Sequence, residues 1–185
     1  MNWPNLLCCA RLAAAPVLLV LAWKGSGNAF LGLLALALAS DAVDGWLARR
    51  LHQKSELGAR LDGFGDIALC AAVPLGALWL WPDVLEREGR WIAAALAGYA
   101  VPGVAGLARY RRLPSYHTWG AKAATGLMGA SVLLLFLGGP PLPFRAAVVL
   151  VLLKGLEELA ITAALPRWEA DVPSLWHALR RRRRA

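Results

Sequence analysis

Residues 41–66 read DAVDGWLARRLHQKSELGARLDGFGD, a run that sets four carboxylates, Asp41, Asp44, Asp62 and Asp66, at the edges of two strongly apolar segments. An acid in or beside a membrane span is costly, so four of them in one short run point to a function that needs negative charge there. Asp41, Asp44, Gly45 and Ala48 follow the i, i+3, i+4, i+7 rule and share one helical face; Gly58, Asp62 and Asp66 are spaced by four and share another. With the polar residues His52 to Glu56 as a short turn, the two helices become antiparallel neighbours and the acids meet at one depth. Ionised carboxylates that close repel by several kcal/mol, roughly, at intermediate dielectric, which cations between them relieve. Oxygen donors without His or Cys favour Mg²⁺ or Mn²⁺, or Ca²⁺, over zinc. Gly45, Ala48 and Gly58 leave space beside the acids for a flat or polyanionic ligand. The plain alternative is two helices packed through small residues, with the acids paired to Arg49, Arg50 and Arg60.

Outward from this run the chain is too apolar for a soluble domain. Its 185 residues are 58% hydrophobic and 17% charged, with a mean hydropathy of +0.50. Apolar stretches near the ~20 residues that a bilayer requires fall at about 6–23, 28–47, 63–81, 91–108, 120–138 and 144–165. The expected fold is therefore all-α, a polytopic membrane protein of six transmembrane helices. Pro16, Pro74 and Pro102 lie inside these stretches and are read as kinks. The basic residues alternate: Arg49, Arg50, Lys54 and Arg60, then Arg109, Arg111, Arg112 and Lys122, then Arg167 and Arg180 to Arg184 lie on one side. Lys24, Arg87, Arg90 and Arg145, diluted by acids, lie on the other. The positive-inside rule places both termini and the acidic run at the cytoplasmic face, and it accounts for much of the net charge of +8 without nucleic acid. The short apolar segment at Leu12 to Trp23 lacks a preceding basic region and a small-residue cleavage site, so the first helix is expected to stay in place. Cys8, Cys9 and Cys70 have no metal-type spacing and read as reduced filler. No repeat or linker divides the chain, so residues 1–185 are expected to form one domain. Its tail, 168–185, carries Leu175, Trp176 and Leu179 at helical spacing before five arginines, a pattern suited to an interfacial helix on anionic lipid.

The skeleton Asp41-x2-Asp44-Gly45-x2-Ala48-Arg49-x8-Gly58-x3-Asp62-x3-Asp66 resembles the signature of the CDP-alcohol phosphatidyltransferases, integral-membrane enzymes of phospholipid synthesis, with every signature position filled. Pro4-Asn5-Leu6-Leu7 and Arg11 are similar to the opening common in that family. The resemblance implies that CDP-diacylglycerol is attacked at its β-phosphorus by an alcohol, with CMP leaving, in a two-metal mechanism. It implies Asp41, Asp44 and Asp62 as metal ligands and Asp66 as the general base that also touches the second metal. Gly45, Ala48 and Gly58 would accommodate the cytidine and Arg49 would meet the diphosphate; the lesser alternative for Arg49 is a membrane-face anchor. It implies a homodimer, and the expected location is a bacterial inner membrane with the site facing the cytoplasm.

The acceptor is less legible. Arg109, Arg112 and Lys122 flank the cytoplasmic mouth, where they suit an acceptor phosphate such as that of glycerol 3-phosphate or an inositol phosphate, or serve only as positive-inside charge. Lys122 lies in a degraded form of a Gly-Lys-x-x-Thr segment that glycerophosphate-accepting members share. Those members also carry Pro after the third Asp and Lys after the fourth, where this chain has Gly63 and Ile67. Glu157 and Glu158, inside an otherwise apolar span, either recognise an amino-alcohol head group such as serine or pair internally, Glu158 with Lys154 at i, i+4. His117, near the mouth, reads as structural. The rival from another class is a divalent-cation transporter, which requires a polar path through both halves of the membrane rather than acids gathered at one face.

Overall fold

The computed structural model describes the backbone of residues 3–51, 56–111, 119–165, 172 and 174–182, and the side chains of 11–40, 63–111, 124–165, 172, 174–178 and 180. Among these residues every regular element is an α-helix: α1 (Trp3–Trp23), α2 (Gly27–Leu51), α3 (Glu56–Leu80), α4 (Pro82–Tyr110), α5 (Trp119–Phe136), α6 (Leu142–Ala164) and α7 (Leu175–Arg182). The first six coincide with the six apolar stretches. Two helix starts come earlier than the sequence expectation: α3 begins at Glu56, which was expected in the turn, and α4 begins at Pro82, with Trp81 alone between it and α3, so the charged run Asp83 to Arg90 is helix and not a connection. Proline needs no N–H bond at a helix start and Asp83 suits the positive end of the helix dipole. Arg87 then donates from Nε to the Asp83 carbonyl at 3.1 Å. Pro16, Pro74 and Pro102 each lie inside an unbroken helix.

Two stretches among the described residues, Gly63–Leu80 and Pro82–Tyr110, are long and apolar enough to cross a membrane. Arg11–Trp23, Gly27–Ser40 and Ala124–Phe136 are apolar but shorter. Large apolar side chains such as Phe64, Leu78, Trp79 and Val104 stand exposed on these helices, an outward greasy surface that suits lipid better than water.

The chain forms two compact units, Met1–Arg87 and Glu88–Ala185. In the first, α1 packs against both α2 and α3. The three helices meet at Gly76, where an added Cβ would stand 2.6 Å from Phe30 of α2 and 3.3 Å from Ala22 of α1. Phe30 is fully buried and meets Trp81 edge to face, with ring centroids 5.6 Å apart. Contacts of Ala22 with Gly76 and of Arg11 with Gly65 keep one offset along the chain, so α1 and α3 run parallel with α2 returning between them in sequence.

In the second unit α4 and α6 are parallel and touch along their length. At one end the Arg145 guanidinium donates to both oxygens of Glu88, at 2.9 and 2.6 Å, a fork that matches the carboxylate plane. At mid-length Gly98 and Gly155 bring the backbones together: a Cβ on Gly155 would lie 2.8 Å from the Gly98 carbonyl oxygen. Small residues at such a crossing let two helices approach in lipid, where burial from water supplies no drive. At the far end the Tyr110 hydroxyl lies 2.7 Å from the Thr162 carbonyl and 2.8 Å from the Leu165 carbonyl, donating its one proton there. These oxygens belong to the last turn of α6 and to its C-cap residue Leu165, where helix geometry leaves carbonyls without a partner. Tyr110→Phe is therefore expected to cost about 1 kcal/mol of stability, read as a lower thermal unfolding midpoint in detergent.

Candidate active site

α2 and α3 run antiparallel, each packed on α1, and the helix rise gives the distance of each acid from the Phe30–Gly76 contact. Asp44 lies fourteen residues beyond Phe30 on α2, and Asp62 lies fourteen residues before Gly76 on α3. At 1.5 Å per residue both positions are about 21 Å from the Phe30–Gly76 contact, hence at one level. Asp41 and Asp66, eleven and ten residues from that contact, share a level one turn nearer to it, about 15–16 Å away. The two facing acidic stripes expected from the sequence depend on side chains at Asp41, Asp44 and Asp62 that lie outside the described residues. Gly45, Ala48 and Arg49 continue along α2 and Gly58 along α3. The side chains of Asp41, Asp44, Arg49 and Asp62 lie outside the described residues.

Asp66 is described, and it has a partner that the sequence reading did not assign. Arg11 of α1 reaches it with Nη1 3.5 Å from Oδ1, the arginine side chain 1% exposed and the carboxylate 57% exposed. The arginine stem runs over Gly65, whose Cα presents no Cβ; an added one would sit 3.6 Å from the stem. Arg11 was legible only as part of the Pro-Asn opening, since nothing in its spacing points to a residue fifty-five positions away.

Among the described side chains no three His, Cys, Asp or Glu residues lie together as a metal site. The donors that the sequence offers are carboxylates only, and the one described, Asp66, keeps more than half of its surface open beside a cation that touches one oxygen. A hard divalent ion fits that donor set.

The residues expected at the acceptor fall in the second unit and are differently employed. Arg109, in the last turn of α4, donates from Nη2 to the Leu165 carbonyl at 3.3 Å, adding to the Tyr110 cap on α6. Arg112 and His117 lie outside the described residues, and Lys122 is in the first turn of α5 with its side chain outside them. Glu158 is buried and pairs with Lys154 at 3.3 Å, and the ammonium also stands 4.9 Å from the centre of the Tyr99 ring. Glu157 accepts the Leu175 backbone N–H at 3.3 Å, capping the start of α7. Glu158 therefore has the internal partner that the sequence left as one alternative, while the partner of Glu157, a backbone N–H, was not among those alternatives. The apolar side of α7 joins Ile161, Leu165, Val172 and Ala178 in a buried cluster, while Arg180 stacks over the exposed Trp176 ring at 3.7 Å.

A family model described as CDP-alcohol phosphatidyltransferase matches residues 1–164 and so runs through both units. The chain is similar to a CDP-diacylglycerol--glycerol-3-phosphate 3-phosphatidyltransferase of Pseudomonas fluorescens, 34% identical over 91% of this chain and 86% of that protein. It is also similar to a cardiolipin synthase (CMP-forming) of Rattus norvegicus, 33% identical over 62% of this chain and 37% of that protein. A CDP-diacylglycerol--serine O-phosphatidyltransferase of Mycobacterium bovis is 30% identical over 68% of this chain and 43% of its own length. No solved structure matches.

Proposed function

The chain belongs to the CDP-alcohol phosphatidyltransferase family, and from that membership we propose that it moves a phosphatidyl group from CDP-diacylglycerol to a phosphorylated polyol, glycerol 3-phosphate first, at the cytoplasmic face of a bacterial inner membrane. The observation that supports the reading is the antiparallel run of α2 and α3 beside α1, along which the four acids fall at similar distances from the Phe30–Gly76 contact. The match to the glycerol-3-phosphate enzyme over most of both chains supports the acceptor. An amino-alcohol acceptor would need Glu157 or Glu158 facing a head group, and both are engaged elsewhere.

In this reading six helices span the membrane and the protein works as a homodimer. Asp66 takes the proton of the acceptor hydroxyl; the alcohol oxygen bonds to the β-phosphorus as the bond to the CMP oxygen breaks, and CMP leaves. Gly45, Ala48 and Gly58 accommodate cytidine against the helix backbones, and Arg49 meets the diphosphate. Asp41, Asp44 and Asp62, with Asp66, would hold two Mg²⁺ or Mn²⁺ ions, whose chemistry when bound is to neutralise the diphosphate and the departing oxygen. Arg112 and Lys122 supply positive charge for the acceptor phosphate, Arg109 being engaged with the Leu165 carbonyl, and the arginines at the end of α7 rest on anionic lipid.

The test is CMP release by purified protein with CDP-diacylglycerol, Mg²⁺ or Mn²⁺, and glycerol 3-phosphate, inositol phosphate, phosphatidylglycerol or serine in turn. Release with glycerol 3-phosphate far above the others is expected; none with any acceptor would sink the reading. Lys122→Ala is expected to raise the apparent acceptor KM about tenfold, the loss of one charge-assisted bond, while the donor KM stays within about twofold. Equal losses for both substrates would remove Lys122 from the acceptor set.

A further inference from the structure

We infer that Arg11 is a positioning residue for Asp66, holding the carboxylate of the proposed general base at the angle from which it takes the acceptor proton. The inference rests on the role proposed for Asp66, but its observations are independent of that role. A guanidinium that is 99% covered must be paired or it is prohibitively costly, and the structure gives it one oxygen of Asp66, 3.5 Å away. The two ends of this pair are unlike. In Lys154–Glu158 both side chains are nearly covered, 13% and 11% exposed, as expected of an internal structural pair. In Arg11–Asp66 the cation is sealed between helices and the acid is 57% exposed. The sealed partner is fixed by packing, its stem lying on Gly65, and the open partner takes its direction from it. α1 therefore carries a rigid donor that orients an accessible carboxylate of α3 while leaving that carboxylate open to substrate. The parallel register of α1 and α3, constant from Arg11–Gly65 to Ala22–Gly76, keeps the donor at that height.

A displaced catalytic group of this kind costs on the order of 10²-fold in rate. The experiment is a double-mutant cycle on the full chain, reading kcat and donor KM of CMP release together with thermal unfolding. Arg11→Gln is expected to lower kcat about 10²-fold with donor KM changed less than about twofold. In an Asp66→Asn background it is expected to lower kcat no further, because its effect passes through that carboxylate. Arg11→Lys, which keeps the cation but lacks the planar fork, is expected to recover part of the loss. An undiminished effect of Arg11→Gln in the Asp66→Asn background would overturn the inference, as would wild-type kcat in Arg11→Gln. Should Arg11→Gln fail to fold, Arg11→Lys decides: reduced kcat at unchanged KM supports positioning, while wild-type kcat, or failure of both variants to fold, makes Arg11 a strut only. Full activity of Asp66→Asn alone would instead overturn the role proposed for Asp66.

Discussion

Asp62→Ala is expected to reduce CMP release at least about 10³-fold, the largest functional effect of any single substitution in this chain. Several kcal/mol of charge stabilisation pass through a ligand carboxylate in two-metal chemistry, and each ~1.4 kcal/mol is tenfold in rate. Asp62 lies on α3 fourteen residues before Gly76, as Asp44 lies on α2 fourteen residues beyond Phe30. Donor affinity that depends on Mg²⁺ or Mn²⁺ should fall with it, measured by binding of CDP-diacylglycerol with and without the ion. The fold should persist, since removing one of several like charges relieves repulsion. Unchanged metal dependence in a folded Asp62→Ala protein would take this residue out of the ligand set.

Gly155→Ala is expected to destabilise the second unit by about 1–3 kcal/mol, a typical overpacking cost. The new methyl would sit 2.8 Å from the Gly98 carbonyl oxygen and 3.4 Å from Pro102, and a backbone atom cannot swing aside as a side chain does. The helices must separate, which loosens the Glu88–Arg145 fork at one end and the Tyr110 cap at the other. An unfolding midpoint lower by about 2–12 °C is the expected reading. Gly103→Ala, on the partner helix α4, is the control: nothing lies within 4 Å of its added methyl, and its midpoint should hold or rise slightly with helix propensity. Equal losses at both positions would show that the close approach at Gly155 is not what matters.

The six long helices were legible because each apolar stretch nears the length of a bilayer and each break is polar, glycine-rich or basic. The start of α4 was not: Asp83, Glu86, Arg87, Glu88 and Arg90 read as a connection because charge was weighed over helix propensity, and proline at a helix start was not credited. The helices that carry Asp41, Asp44, Asp62 and Asp66 were legible through local spacing, which helix geometry converts into faces. The Arg11 contact was not, since a residue on another helix leaves no periodic trace. Glu157 was ambiguous for a related reason: its partner is a backbone N–H on α7, and no pattern of side chains records a bond to main chain. Lys154–Glu158 was foreseen as one alternative because both ends lie one turn apart on a single helix.

The parallel embrace of α4 and α6 also has a history in time. Gly155 follows Gly98 by fifty-seven positions, and a ribosome adding roughly 5–20 residues per second needs about 3–11 s to cover them. Throughout that interval the notch at Gly98 has nothing of α6 to receive, whereas α1, α2 and α3 are already made. Nascent chains arrested just before and just after α6 should therefore differ sharply in protease resistance within the second unit, while the first unit is already protected in both.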